Sequence, residues 1–361
     1  MSNTSSHPFP IVTRRSLWFA VSIVVMVAGF VKMGINKATT GEALNYGIDF
    51  TGGSAYTYKF EKLPGGTDSA QSSAEIRQVL ETVKVGSKPI EDAAIQVFAD
   101  GGVQITTPTG SDKKRQNTAA AEGRAEAEAI EQAMRAKFGS VDLVASDLVG
   151  PVIGEHLRTM AVWALFWGCL LITLYIWFRY NIKGIGAGYL FGLSAILAMI
   201  HDVFIMLAVY AWTNTEVNTN FVAAVLTVVG YSINDTVIIF DRIRENLGKL
   251  DANQRRLFPL VEEALETSLW QVMTRSVVTV VCTLLPLVTL FLFGGVTIRN
   301  FAFSLLVGII AGGYSSIFTA TPLFALLYRR HLEKTAPAQP ASRARTSRPR
   351  AEQPVETPFT V

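Results

Sequence analysis

The sequence predicts a polytopic α-helical membrane protein: six transmembrane helices, with an α+β domain of ferredoxin-like order (βαββαβ) inserted between the first and the second. Three observations carry this. Half of the 361 residues are hydrophobic and 17% are charged, with a mean hydropathy of +0.32, which argues against a purely soluble protein. Six stretches, 16–35, 159–178, 184–212, 217–240, 276–293 and 299–327, have the roughly 20 mostly apolar residues that a bilayer core requires. Between the first two lies an interval, 36–157, whose apolar residues recur with strand and helix periods instead. Charge divides the chain in the same way: 37–157 holds 12 basic and 17 acidic residues, whereas the whole chain is +3, a sign asymmetry that suggests two environments.

Residues 1–15 precede the first span and end in Arg14-Arg15. The run Thr13-Arg14-Arg15-Ser16-Leu17 has the flavour of a twin-arginine signal. No small-x-small cleavage site follows it, and Lys32, Asn36 and Lys37 do, so the segment reads as an uncleaved anchor. Short loops then set the orientation. Arg179 and Lys183 flank one turn; the 241–275 loop, expected to hold an amphipathic helix, carries Arg242, Arg244, Lys249, Arg255, Arg256 and Arg275; 213–216 and 294–298 have no Lys or Arg. By the positive-inside rule both termini are cytoplasmic and 36–157 is exported.

Within 36–157, Ser54 to Phe60 alternates as a half-buried strand does. Ser72 and Glu75 read as a capping box, followed by the helical stripe Ile76, Val79, Leu80 and Val83. Two alternating runs, 93–98 and 102–107, meet at the turn signal Asp100-Gly101-Gly102. A helix over 119–138 places Ile130, Met134 and Phe138 on one face, and a strand over 140–148 closes the domain. The segment has no Cys, no Ser/His/Asp set and no His before His156 at its very end, so a binding or mechanical module is expected rather than a catalytic one. Cys169 and Cys282, the only cysteines, sit in apolar runs, which excludes a disulfide framework, a zinc ribbon or a thiol redox motif. Residues 328–361 form a basic tail, rich in Pro, Ala and Ser from Thr335 onwards, and are expected to be disordered and solvated.

Ionisable groups in lipid are expensive and mark functional candidates. Three stand out: His201-Asp202 in the third span, Asp235 in the fourth, within Gly230 to Thr236, and Arg275 at the start of the fifth. Burial opposes the charged form of a carboxylate and a nearby guanidinium favours it, so an Asp235 balanced between the two is suited to carry a proton. Asn234, Ser232 and Thr236 would supply hydrogen bonds to it. The competing reading is a structural Asp235–Arg275 ion pair that fixes helix register. For His201-Asp202 a relay role and a satisfied polar pair stand level. An aspartyl-protease dyad of Asp202 and Asp235 lacks the glycine-x-glycine-aspartate context. Glu155, His156 and Arg158 read as interfacial anchors. Stripes of small residues, Gly184, Gly188 and Gly192, and Ser304, Gly308, Gly312 and Ser316, predict close helix approach, and Pro286 and Pro322 predict kinks.

Taken together, Gly47-Ile48-Asp49-Phe50-Thr51-Gly52-Gly53-Ser54, Val149-Gly150-Pro151-Val152-Ile153-Gly154, His201-Asp202-Val203 and the run from Gly230 through Asp241-Arg242-Ile243-Arg244-Glu245-Asn246 resemble the SecD/SecF family of bacterial protein-export membrane proteins, in its SecF branch, up to about residue 330. The resemblance implies a resistance-nodulation-division (RND) type of fold, of which this chain is one half of a pseudo-two-fold and a SecD-like subunit the other. It implies an inner-membrane protein that is no enzyme and assists the SecYEG channel and the SecA motor, with YajC/YidC as further partners, moving unfolded polypeptide with the proton-motive force. It maps Asp235 and Arg275 onto the proton pathway, His201-Asp202 onto a recurrent pair, and Gly47, Asp49, Phe50, Gly52, Gly53, Gly150 and Pro151 onto structural motifs. No cofactor, metal or nucleic acid is implied; protons are the coupling ion, with sodium an alternative. Other readings are an RND-type exporter of small molecules or lipids, and an assembly scaffold through which no proton moves.

Overall fold

The first apolar run forms helix α1 (Arg15–Thr40), which stops where Gly41 takes a left-handed conformation and returns its N–H to Lys37. The structure, a computed structural model, describes residues 9–64, 69–85, 88–90, 93–98, 101–108, 119–181 and 188–335. Asp100, Lys183, Gly184 and the tail beyond residue 335 lie outside the described residues.

After α1 a single helical turn, α2 (Ile48–Thr51), leads into strand β1 (Gly53–Phe60), helix α3 (Ser69–Leu80) and two short antiparallel strands, β2 (Lys84–Val85) and β3 (Lys88–Pro89). Strands β4 (Ala94–Val97) and β5 (Gly102–Pro108), helix α4 (Ala119–Phe138) and strand β6 (Val141–Val149) complete the domain. The main sheet runs β4-β5-β1-β6 with every pair antiparallel, the ferredoxin-like order that the βαββαβ pattern predicts. Alternation in β1 sends Tyr56, Tyr58 and Phe60 into one core with Ile76, Leu80, Ile130 and Met134. Tyr56 Oη donates to the Gly123 carbonyl and Tyr58 Oη to that of Ala127, each at 3.0 Å, so the strand is pinned to α4. Burial holds both phenols well above their ordinary pKa. Of the expected turn, Asp100 lies outside the described residues; Gly101 has φ +85° and Phe98 donates its N–H to Gly102 O at 2.8 Å. The capping box is not made: Ser72 lies inside α3, where its hydroxyl donates to the Pro64 carbonyl.

The membrane part comprises α1, α5 (Pro151–Asn181), α6 (Gly188–Thr213), α7 (Thr219–Gly248), α8 (Phe258–Phe293) and a sixth span made of α9 (Val296–Ser315), the π-helical segment Ser316–Ala320 and α10 (Thr321–Thr335). Among the described residues, six helices are thus long and apolar enough to cross a bilayer. The 241–275 segment holds no free-standing amphipathic helix. Its first part extends α7 and its last part is the beginning of α8, with a short 3₁₀ turn at Gln254–Arg256 between them. Pro286 sits within α8 without ending it. Ahead of Pro322, which has no N–H to give, the helix widens into the π segment, a device that recurs at functional sites.

α6, α7 and the sixth span form the inside of the bundle, and α1, α5 and α8 are mostly exposed around it. The stripe on α9 works as expected: a Cβ on Gly308 would collide with Val228, and one on Gly312 would come within 3.0 Å of Ser232. At Gly192 a Cβ would meet only ordinary contacts, the nearest atom being 3.9 Å away, so that glycine brings no unusually close approach. Two apolar cores result. One, near the domain, gathers Met206, Tyr210, Phe221, Val228 and Leu305. The other, at the far end, stacks Tyr180, Phe191 and Phe324 beside Phe240.

Candidate functional site

Between these cores runs a buried polar belt. Asp202 on α6 is 1% exposed. Its Oδ2 accepts from Ser232 Oγ of α7 at 2.6 Å and from Ser315 Oγ of α9 at 2.9 Å, and its Oδ1 lies 3.1 Å from His201 Nδ1. Three helices therefore meet on one carboxylate. The Nε2 of His201 has no hydrogen-bond partner among the described residues, and its ring stacks towards Tyr314 at 6.1 Å. The belt continues through Ser316, whose hydroxyl lies 2.8 Å from the Gly312 carbonyl and 3.3 Å from that of Ser232. Thr236 Oγ1 donates to Ser316 Oγ at 3.1 Å.

Next to Thr236 is Asp235, 6% exposed. Ser276 Oγ of α8 donates to its Oδ1 at 2.6 Å, while Oδ2 has no hydrogen-bond partner among the described residues. At 1.5 Å of rise per residue, Asp235 lies ~24 Å from the first residue of α7 and Asp202 ~17 Å from the last residue of α6. The two carboxylates thus sit at different depths, each with its own donors, and no hydrogen bond joins them as in a protease dyad.

The expected residues divide. Arg275 is exposed on α8 and, among the described residues, makes no ion pair within 4.0 Å, so the register-fixing Asp235–Arg275 pair is not formed. It instead lines an open cavity of about 550 Å³ with Ile238, Asp241, Arg242, Arg244, Glu245 and Val272. In that cavity Asp241 pairs with Arg179 at 2.9 Å and with Arg244 at 3.5 Å. Asn234 is exposed and gives Asp235 nothing: one residue is about 100° of helix rotation, enough to turn its amide out of the pocket. Ser232 serves Asp202 rather than Asp235. Sequence reasoning missed Ser276 and Ser315 as hydrogen-bond donors, because serines in apolar helices are common and nothing local marks which carboxylate they meet. Ser316 stood out only as a small residue.

The second cluster joins the domain to the bundle. Gly47 donates its N–H to Val217 O at 2.9 Å, and Val217 donates to Asn45 O at 2.7 Å. Asp49 Oδ2 receives both the N–H of Thr219 at 2.9 Å and its hydroxyl at 2.5 Å, holding the start of α7. Phe50 packs at the edge of the domain-side bundle core. Gly52 and Gly53 have φ of +74° and +146°, values that suit glycine and let the chain swing from α2 into β1. Gly150 precedes Pro151, the first residue of α5, and Gly154 lies against this bend, where a Cβ would come within 3.0 Å of Gly52 N.

A six-helix bundle with a buried acidic belt and one ferredoxin-like domain inserted after the first helix is the architecture of an RND-type membrane protein. The family model for the protein export membrane protein SecD/SecF C-terminal region matches residues 129–330, and the model for the SecD/SecF GG motif matches 43–62. The chain belongs to the SecD/SecF family. It is 35% identical over 326 residues to the protein translocase subunit SecF of Desulfurispirillum indicum, covering 90% of this chain and 93% of that one. To the SecF of Sebaldella termitidis it is 36% identical, covering 80% and 83%. The crystal structure of SecDF from Thermus thermophilus, a translocon-associated membrane protein, superposes with a TM-score of 0.67 at 31% identity over 90% of this chain. The present chain spans only 39% of the length of that SecDF chain.

Proposed function

We propose that this protein is the SecF half of a protein-translocase accessory unit in a bacterial inner membrane, paired with a SecD-like subunit and driven by the proton-motive force. The observation that carries the reading is Asp235: a buried carboxylate with one oxygen held by Ser276 and the other free among the described residues. Such a group changes protonation at the cost of little rearrangement, and each change alters what its free oxygen can donate or accept. Arg275, one residue from Ser276 on the outer helix, is the cation that a shift of α8 would bring nearer or take away. The hydroxyls of Thr236, Ser316, Ser232 and Ser315 extend the polar path towards Asp202.

Pairing is supported by the outer face of α8, where Val277, Val278, Val281 and Leu285 are exposed next to Arg275. The SecDF neighbour is more than twice as long as this chain, leaving room for the second half of the bundle. Positive-inside bias supports cytoplasmic termini and an exported ferredoxin-like domain, which would engage unfolded polypeptide emerging from SecYEG, with SecA and YajC/YidC on the same pathway. Gradient-dependent export in cells carrying Asp235→Asn, with assembly checked by co-purification of the SecD-like partner, tests this. Normal assembly with loss of gradient dependence is expected. Unchanged gradient dependence would sink the proton-carrier role.

A further inference from the structure

Glu216, in the short loop between α6 and α7, belongs to neither the belt nor the Asp235 pocket. It is 6% exposed, in the seam where the domain sits on the bundle. From β5, 112 residues away in sequence, Gln104 Nε2 donates to its Oε2 at 2.9 Å. From α2 the backbone N–H of Ile48 donates to the carboxylate. Gly47 packs so tightly on Oε1 that any Cβ there would collide with it. The other titratable groups facing it are both acids: Asp49 of α2, already committed to Thr219, and Asp147 of β6. Among the described residues Glu216 makes no ion pair within 4.0 Å, and no cation figures among the charges that act on it.

A carboxylate buried against two acids, with neutral donors and no cation, favours its protonated form. The groups around it come from the α2 turn and the sheet, and Glu216 itself from the loop ahead of α7, so its charge bears on whether those three stay together. We infer that Glu216 is a proton-responsive positioning residue, whose protonated form holds the domain docked on the membrane bundle and whose ionised form loosens that joint. Burial first, and then the Asp49 charge, push its pKa from 4.5 up to about 7. A pKa raised in the docked state means that docking is tightest below the exposed-group value and weakens as pH climbs from about 4.5 to about 7, by roughly two orders of magnitude in total. The side of the membrane that the domain faces would thereby set the posture of the domain, independently of Asp235.

The test uses the full chain in lipid nanodiscs, with Cys169→Ser and Cys282→Ser, and spin labels on Glu128→Cys of α4 and Asn220→Cys of α7, both exposed positions. Label-to-label distances are read by pulsed electron paramagnetic resonance from pH 5 to pH 8. A narrow distribution at pH 5 that broadens by pH 8, and that stays narrow throughout in Glu216→Gln, is the expected result. Asp49→Asn, which keeps an oxygen for Thr219 but removes the like charge, should shrink the response. A distribution that does not change with pH, a Glu216→Gln variant that keeps the full response, or one that is broad at every pH would each overturn the inference. Asp235→Asn separates this from the proposed transport role. A response lost there and kept in Glu216→Gln assigns it to the membrane site and defeats the Glu216 reading alone. A response lost only in Glu216→Gln upholds the joint whatever export shows.

Discussion

Glu266 holds the segment ahead of the first helix, and its removal has a consequence that can be worked directly from the structure. It lies near the start of α8, 4% exposed, and its two oxygens accept the backbone N–H groups of Ile11 at 2.7 Å and Val12 at 2.8 Å. Trp270 Nε1 adds a third bond at 3.1 Å. Ile11 and Val12 are 2% and 0% exposed, so water does not reach their amides while the segment is docked. In Glu266→Ala both buried N–H groups lose their acceptor, at about 1–3 kcal/mol each, or about 2–6 kcal/mol together. The segment ahead of α1 has an escape, because undocking lets water satisfy both amides. The measurable consequence is therefore release of residues 9–14 rather than unfolding of the bundle. Even the lower figure corresponds to roughly a 30-fold rise in the open population, read as faster amide hydrogen exchange at Ile11 and Val12 in detergent-solubilised protein. Glu266→Gln should fall between, since one oxygen remains and the new amide faces one N–H with a donor. The Arg15–Glu262 pair at 2.8 Å is a partly exposed ion pair and contributes at most about 1 kcal/mol, too little to rescue docking. Unchanged exchange at Ile11 and Val12 in Glu266→Ala would refute the claim that this carboxylate holds the segment.

Three further outcomes are expected. Gly308→Leu drives a side chain into Val228 and should destabilise the α7–α9 packing by about 1–3 kcal/mol, seen as a lower melting temperature in detergent, whereas Gly192→Ala should change it little. Asp202→Leu strands the hydroxyls of Ser232 and Ser315 and should cost several times more stability than Asp202→Asn, which keeps an oxygen for both; equal melting temperatures for the two would contradict the hydrogen-bond assignment. Gly47→Ala should loosen the domain joint at every pH, because its methyl collides with Glu216 in either protonation state. Spin-label distances between positions 128 and 220 would show this as a broad distribution at pH 5.

The number of spans, the ferredoxin-like strand order and the family were legible in the sequence because each rests on short-range regularities. A bilayer selects long apolar runs whatever they pack against. The alternation of Tyr56, Tyr58 and Phe60 decides which face of β1 is buried before any partner is known. The glycines at 52 and 53, both at positive φ, mark a bend that few other residues can make. The sequence also singled out Asp202 and Asp235, because a carboxylate inside an apolar run is rare enough to be conspicuous.

Which groups those carboxylates meet was decided only by tertiary structure. A hydrogen-bond partner depends on how each helix is rotated and at what depth it crosses its neighbours, and neither is encoded within one turn of sequence. Asn234, adjacent to Asp235, turns outwards, while Ser276, 41 residues away, reaches it. Ser315 finds Asp202 across 113 residues. Arg275, next to Ser276, faces outwards because the same rotation that presents the serine to Asp235 carries the arginine away from it. Glu216 reads in the sequence as a loop acid, the kind that water normally solvates. It becomes a buried group only because the turn at Gly47 folds the domain down onto the α6–α7 loop and places Gln104 and Asp49 beside it.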